Sequence, residues 1–209
     1  MEKQVIISIG REFGSGGHEV AKRIAEDLGL TLYDRNLLDH AAEAKKIRAE
    51  KLKRYEEMPR NIIFSRRVRG FSNSIEENVA ELEFDFLRQK ADSGESFVVV
   101  GRCAEAVLAG REGLISIFVL GDCEQKLQRV RSIYHLSRDE ALNKMNRHDR
   151  SRKAFHNAYS KIKWGDSRGY DLCVNSSRLG IEGTVRCLEQ YIQDRVQQLE
   201  QSEDQAAQG

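Results

Sequence analysis

Apolar and polar positions follow two periods along this chain, and the switches between them predict the order of its elements. Val5 to Ile9 is a short β-branched run ending at Gly10 and reads as a strand. Val20, Ile24 and Leu28 then recur at helical spacing up to Gly29, a fitting C-terminal cap, so the chain opens as strand, glycine-rich turn and helix. Leu30 to Tyr33 predicts a second strand ending at Asp34, and Arg35 to Ala44 begins another helix. From Lys45 to Gly70 the pattern is helical but interrupted by Pro59, which ends or kinks a helix. Ile75, Val79, Leu82, Phe86 and Leu87 fall on one side of an amphipathic helix over Ile75 to Lys90, before the turn Asp92-Ser93-Gly94.

Phe97 to Val100 and Leu114 to Leu120 are continuous apolar runs, which suit strands of a parallel sheet covered by helices on both faces. Asp122 opens a helix to Ile133, and Ser137 to Glu140 has the spacing of a capping box that starts a helix at Asp139. That helix runs into the charged stretch Arg147 to Lys153. Tyr170 to Asn175 is the last strand candidate and Ile181 to about Leu199 the last helix. Gln201 to Gly209 is polar and predicts a disordered tail. No repeat of 20 to 50 residues is evident. The alternation of strands and helices predicts an α/β fold with a central parallel sheet, and residues 1–200 read as one domain.

Composition narrows this little. The 209 residues are 40% hydrophobic and 32% charged, and 34 basic residues nearly cancel 33 acidic ones, so the net charge of +1 names no partner. Locally the balance is uneven, with a basic block from Glu43 to Ser72 followed by an acidic one from Asn73 to Glu95. The near-neutral total, with no recognised nucleic-acid motif, argues against nucleic acid as the partner. Cys103, Cys123, Cys173 and Cys187 are too widely spaced for a zinc knuckle and fit reduced thiols. The start lacks the pattern of a secretory signal, and the longest apolar runs are far short of the roughly 20 residues a membrane span requires, so a cytoplasmic protein without membrane contact is expected.

Chemistry enters at Gly14-Ser15-Gly16-Gly17. A glycine-rich turn between a strand and a helix aims backbone N–H groups at one spot, and the helix dipole adds partial positive charge there, so the turn suits a phosphate. Aligned on its glycines with the standard phosphate loop, the stretch has Gly17 where the loop lysine belongs and Glu19 at the Ser/Thr position. Either Arg11, Lys22 or an arginine from elsewhere supplies the missing charge, or catalysis is weak. Glu19 reads either as a magnesium ligand or as an acid stabilised in the first helical turn. His18, His40, His135, His148 and His156 form no cluster with metal-ligand spacing, and no metal site is expected from them.

The run from Ile7 to Gly17, ISIGREFGSGG, resembles the opening of the cytidylate kinase-like proteins, relatives of bacterial cytidylate kinase. Four further segments agree in order and spacing. Leu32-Tyr33-Asp34-Arg35 falls at the second strand, whose aspartate lies near a nucleoside monophosphate. Val99-Val100-Gly101-Arg102 resembles the Gly-Arg segment that contacts the acceptor nucleotide. Arg147 to Arg152 resembles the arginine-rich lid, and Tyr170 to Gly180 the last strand with its turn. Trp164-Gly165-Asp166 is also typical of this branch, and the likeness covers about Val5 to Leu199.

The resemblance implies a three-layer α/β/α P-loop NTPase fold with an inserted helical acceptor-binding region at 41–90 and a lid at 137–168. It implies transfer of the ATP γ-phosphoryl group to a small acceptor, CMP or dCMP first, with ATP and Mg2+ as cofactors and nucleotides as partners. The expected catalytic set is Arg11, Asp34, Arg147, Arg150 and Arg152. The donor phosphates fall to Gly14, Ser15, Gly16, Gly17, His18 and Glu19, and the acceptor to Asp34, Arg35 and Arg102. Arginine suits the lid because its planar fork grips two phosphate oxygens at once. On a helix Arg147 and Arg150 share a face, while Asp149 and Arg152 meet across another i, i+3 pair. Rival readings stand beside these roles: a solvated face for the lid arginines, a helix N-cap for Asp34, an ion pair with a neighbouring acid for Arg102, and plain core packing for Trp164 and Tyr170. Cys103 replaces the aspartate usual after the Gly-Arg pair. The whole-protein alternative is a non-catalytic nucleotide-binding or regulatory protein with a degenerate loop.

Overall fold

The structure is a computed structural model, and it describes residues 3–34, 36–45, 67–68, 71–72 and 75–207. Strands β1 (Ile6–Arg11), β2 (Thr31–Tyr33), β5 (Phe97–Val100), β6 (Leu114–Leu120) and β7 (Leu172–Asn175) form a sheet in the order β2-β5-β1-β6-β7. Every pairing in it is parallel. A two-stranded antiparallel ribbon, β3 (Arg67–Val68) with β4 (Phe71–Ser72), stands apart from it. The helices are α1 (Gly17–Asp27), α2 (Leu37–Ala44), α3 (Ile75–Asp92), α4 (Ala104–Val107), α5 (Cys123–Tyr134), α6 (Arg138–Tyr159) and α7 (Ser176–Ala207).

The sheet explains why its strands are apolar without alternation. Ile7, Ile9, Val98, Val100, Ile115 and Ile117 point to one face and pack with Val20 and Ile24 of α1 and Leu188 and Ile192 of α7. Ile6, Phe97 and Val99 point to the other, against Leu37 and Leu38 of α2 and Val79, Phe86 and Leu87 of α3. Each such side chain, fully buried, contributes about 1.5–3 kcal/mol of transfer free energy. A strand buried on both faces must be apolar at successive positions, and the result is the expected α/β architecture with three layers.

Several boundaries carry meaning. Strand β1 runs two residues beyond the expected Ile9, so Arg11 is held in register opposite Val119 at the C-terminal edge of the sheet. The capping box at α6 is formed: Ser137 Oγ accepts from the Glu140 N–H at 3.4 Å, and Glu140 Oε2 accepts from the Ser137 N–H at 2.9 Å. Helix α4, which the pattern does not predict, turns the chain just after Gly101-Arg102. The final helix begins at Ser176, bends where Gly180 has φ 66°, and continues through Gln201 to Ala207, where polar composition predicts a disordered tail. Most of the basic stretch Lys45 to Arg69, including Pro59, lies outside the described residues, as does Arg35. Among the described residues no helix is long and apolar enough to cross a membrane.

Candidate active site

The carboxyl ends of β1, β2 and β5 open into a cleft of about 690 Å³, the place where open α/β sheets put ligands. Its floor is the glycine turn. Gly14 and Gly16 adopt φ 85° and 80°, and the turn is braced from within: Ser15 Oγ donates to the Glu12 carbonyl at 2.9 Å, and Ser176 Oγ donates to the Ser15 carbonyl at 2.6 Å. The Ser15 side chain is thereby buried beneath the loop, while Gly14, Gly16, Gly17, His18 and Glu19 line the cleft. The opening turn of α1, at the cleft, has N–H groups that a helix cannot satisfy internally, of which the Gly17 N–H donates to Ser15 Oγ at 3.3 Å.

Arg11 occupies the space that a side chain at position 17 would need. A Cβ on Gly17 would stand 2.6 Å from Arg11 Cβ and 3.3 Å from its Cγ. Farther along, the Arg11 guanidinium lies against Gly101, whose φ is 77° and where any Cβ would collide with it. Two glycines, one in the phosphate loop and one in the Gly-Arg turn, thus form a channel for one arginine. Lys22, by contrast, is exposed and pairs with Glu26 at 3.6 Å.

Helix α6 closes one side of the cleft, and its packing decides which of its cations face inward. Ala141 and Met145 are buried with Leu127 and Val130 of α5, and Phe155 is buried farther along. That stripe carries Lys144, His148 and Arg152 to the cleft at i, i+4 and i+8. Arg147 and Arg150 share a face as their spacing requires, but it is the opposite one, and both are exposed outside the cleft. Arg152 Nη1 donates to the Arg11 carbonyl at 3.3 Å, lies 3.8 Å from Asp149 and sits over the Phe13 ring at 5.4 Å. Phe13 also stacks on His148 at 4.3 Å, and its N–H donates to Asp149 Oδ1 at 2.7 Å. Burial pushes the Asp149 carboxyl up, against the pull of the Phe13 N–H and Arg152.

The other expected residues divide. His18 Nε2 and Asp34 Oδ2 are 2.6 Å apart across the cleft, joining the phosphate loop to the end of β2. Asn36, not Asp34, stands at the N-cap position of α2, with no side-chain cap bond, although Asp34 Oδ1 accepts from the Asn36 N–H at 3.3 Å. Arg102 lines the cleft yet is buried against Glu83 of α3, Nε to Oε1 3.4 Å, so the rival ion pair is present. Glu19 is engaged by Arg129 of α5 and lies 3.7 Å from Arg23. Trp164 and Tyr170 pack on Phe118 with centroids 5.2 and 5.0 Å apart, away from the large cleft.

Sequence reasoning missed Glu12, whose Oε2 accepts from Lys126 Nζ at 2.7 Å and the Gly121 N–H at 3.2 Å, tying β1 to the end of β6. It also missed Arg129 and Lys144, for which the signal was present: Lys126 and Arg129 share a face of α5, and Lys144 precedes His148 by one turn. His156, which falls into no local cluster, lies beside Glu105 and Cys103.

Residues 6–178 match the cytidylate kinase-like family. The chain belongs to that family. No curated protein matches it in sequence. Among solved structures, an uncharacterized protein from Eubacterium ventriosum is 37% identical, covering 91% of this chain and 99% of its own, with a TM-score of 0.73. Shikimate kinase from Bacteroides thetaiotaomicron shares the fold at 17% identity and a TM-score of 0.53, over 90% of this chain and 98% of its own. Shikimate kinase from Acinetobacter baumannii, solved with shikimate, does so at 14% and 0.50, over 92% and 94%. Membership in the cytidylate kinase-like family supports a kinase-type phosphotransferase.

Proposed function

We propose that the chain transfers the γ-phosphoryl group of ATP to a small acceptor bound at the Asp34 end of the cleft, with CMP or dCMP the first candidates. The observation that supports this reading is Arg11, whose Cβ and Cγ fill the space a side chain at position 17 would need while its guanidinium lies against Gly101 and it lines the cleft with the turn. Phosphoryl transfer asks a protein mainly for position and for neutralisation of charge on the transferred oxygens. In this reading the loop amides cradle the donor phosphates, and Arg11 and Arg152, which both line the cleft, neutralise the γ-phosphate. Arg102 holds the acceptor through the rim it shares with Asp34, and α6 screens the cleft from water that would otherwise take the phosphoryl group.

Magnesium bound to ATP would supply further neutralisation of the β- and γ-oxygens. Glu19 does not fit as its ligand, because Arg129 holds that carboxylate. Asp34 lines the cleft and would offer a hard oxygen donor on releasing His18, which holds its Oδ2 at 2.6 Å.

One observation favours a second acceptor class. A phosphate acceptor arrives with its nucleophile already ionised, whereas a hydroxyl gains from a carboxylate that takes its proton, and Asp34 is oriented for this by His18 at 2.6 Å. Hydroxylated acceptors, shikimate among them, therefore belong in the test beside the nucleoside monophosphates. A coupled ADP-release assay with ATP and Mg2+ is run over this panel together with calorimetric ATP binding. Acceptor-dependent turnover that collapses in Arg11→Ala supports the proposal and names the acceptor. ATP binding without turnover on any acceptor refutes it in favour of a regulatory nucleotide-binding protein.

A further inference from the structure

We infer that Cys103, Glu105 and His156 form a binding site for one divalent transition-metal ion, zinc by the chemistry of the donors. Cys103 and Glu105 flank the start of α4, and His156 lies near the end of α6, more than fifty residues away. One ligand atom of each, a thiol sulfur, a carboxylate oxygen and an imidazole nitrogen, lies within 4.8 Å of both others. All three side chains are buried, Glu105 and His156 at 8% and 7% exposure. His156 Nε2 is 2.6 Å from Glu105 Oε1, and Ser8 Oγ donates to Glu105 Oε2 at 3.5 Å. A cavity of about 20 Å³ lies against all three residues and has room for about one water molecule, a fourth ligand.

Sulfur, nitrogen and oxygen together select zinc among common biological cations, whereas magnesium and calcium take oxygen alone. Charge argues the same way. A dipositive ion with a thiolate, a carboxylate and a neutral imidazole sums to zero, so the loaded site buries no net charge. In the metal-free protein burial, and then Glu105, push the Cys103 thiol up, and coordination releases its proton to solvent. Metal–ligand distances of about 2.0–2.3 Å in a tetrahedron hold nitrogen and oxygen donors about 3.3 Å apart. The contact between His156 and Glu105 therefore opens by under about 1 Å. The ion ties the root of α6 to α4, one turn from Arg152, and fixes the helix that walls the cleft.

The test uses the full chain stripped with a chelator and titrated with Co2+ and Zn2+. One Co2+ per chain is expected, with a thiolate-to-cobalt charge-transfer band that Zn2+ displaces. Zinc at a hundred times its Kd raises Tm by roughly 5–10 °C. The band is retained in Cys123→Ser/Cys187→Ser, which removes the two exposed thiols, and lost in Cys103→Ser. His156→Gln, which keeps a hydrogen-bonding partner for Glu105, lowers affinity at least tenfold while circular dichroism shows the fold intact. A wild-type chain that gives no thiolate–cobalt band, or a band and Tm shift that survive in both Cys103→Ser and His156→Gln, overturns the site.

Discussion

Gly17→Ala is the most direct probe of Arg11, the arginine proposed to stand in for the loop lysine. Gly17 opens α1 with a backbone that any residue adopts, and replacing glycine by alanine within a helix normally gains about 0.5–1 kcal/mol. Here the new Cβ would sit 2.6 Å from Arg11 Cβ and 3.2 Å from Val119 Cβ, against a comfortable carbon–carbon separation of about 3.5–4.0 Å. Arg11 cannot yield freely, because its backbone is fixed in the sheet opposite Val119 and its guanidinium is confined by Gly101. Overpacking of this kind costs about 1–3 kcal/mol, so the net expectation is a loss of about 0.5–2 kcal/mol. That corresponds to a Tm lower by roughly 1–8 °C. In the proposed reading, displacing the guanidinium also removes a charged contact to the donor phosphates worth about 1.5–3 kcal/mol, or about tenfold to a hundredfold in ATP affinity. Thermal unfolding and ATP calorimetry read the two effects separately. The decisive comparison is made in an Arg11→Gly background, where the same alanine loses its main clash and its cost falls to about zero. If Gly17→Ala is neutral or stabilising in the wild type and leaves ATP affinity unchanged, Arg11 does not fill the lysine's place.

Three further expectations test other parts of the structure. If the proposed transfer occurs, Arg152→Gln, at a residue facing the cleft, lowers kcat/KM about a hundredfold, while Arg150→Gln on the exposed face leaves it within about twofold; equal effects would mean that α6 presents a different face to the substrates. Ser137→Ala removes one half of the capping box and costs about 1 kcal/mol, read as a Tm lower by roughly 2–4 °C with activity unchanged. Tyr33 is held up to about 12 by burial and then by Glu95, which accepts from its hydroxyl at 2.7 Å. Because the folded value exceeds the usual 10.0, its contribution is full below pH 10 and is lost as pH rises through about 12. An alkaline loss of stability across this window that is absent in Tyr33→Phe is the expected result, checked by denaturant unfolding at a series of pH values.

What could be read from the chain was what is decided locally. Strands buried on both faces must be apolar without a break, so Phe97 to Val100 and Leu114 to Leu120 declared themselves, and the capping box at Ser137 is a matter of four consecutive residues. The order of motifs from Ile7 to Gly180 was likewise legible, and it pointed to the family that residues 6–178 match. Polar composition suggests disorder for the tail, whereas the final helix, packed through Leu188 and Ile192, continues to Ala207, as a helix already nucleated extends by adding one hydrogen bond per residue. Spacing alone put Arg147 and Arg150 on one face of α6 but could not say which way that face turns. Only the burial of Met145 and Phe155 decides this, and it gives the cleft to Lys144, His148 and Arg152. The same holds for Arg11 filling the space at Gly17, and for His156 meeting Cys103 and Glu105. Such meetings depend on how strands and helices are stacked, because side chains distant in sequence are brought within reach only when the sheet and its covering layers close around them.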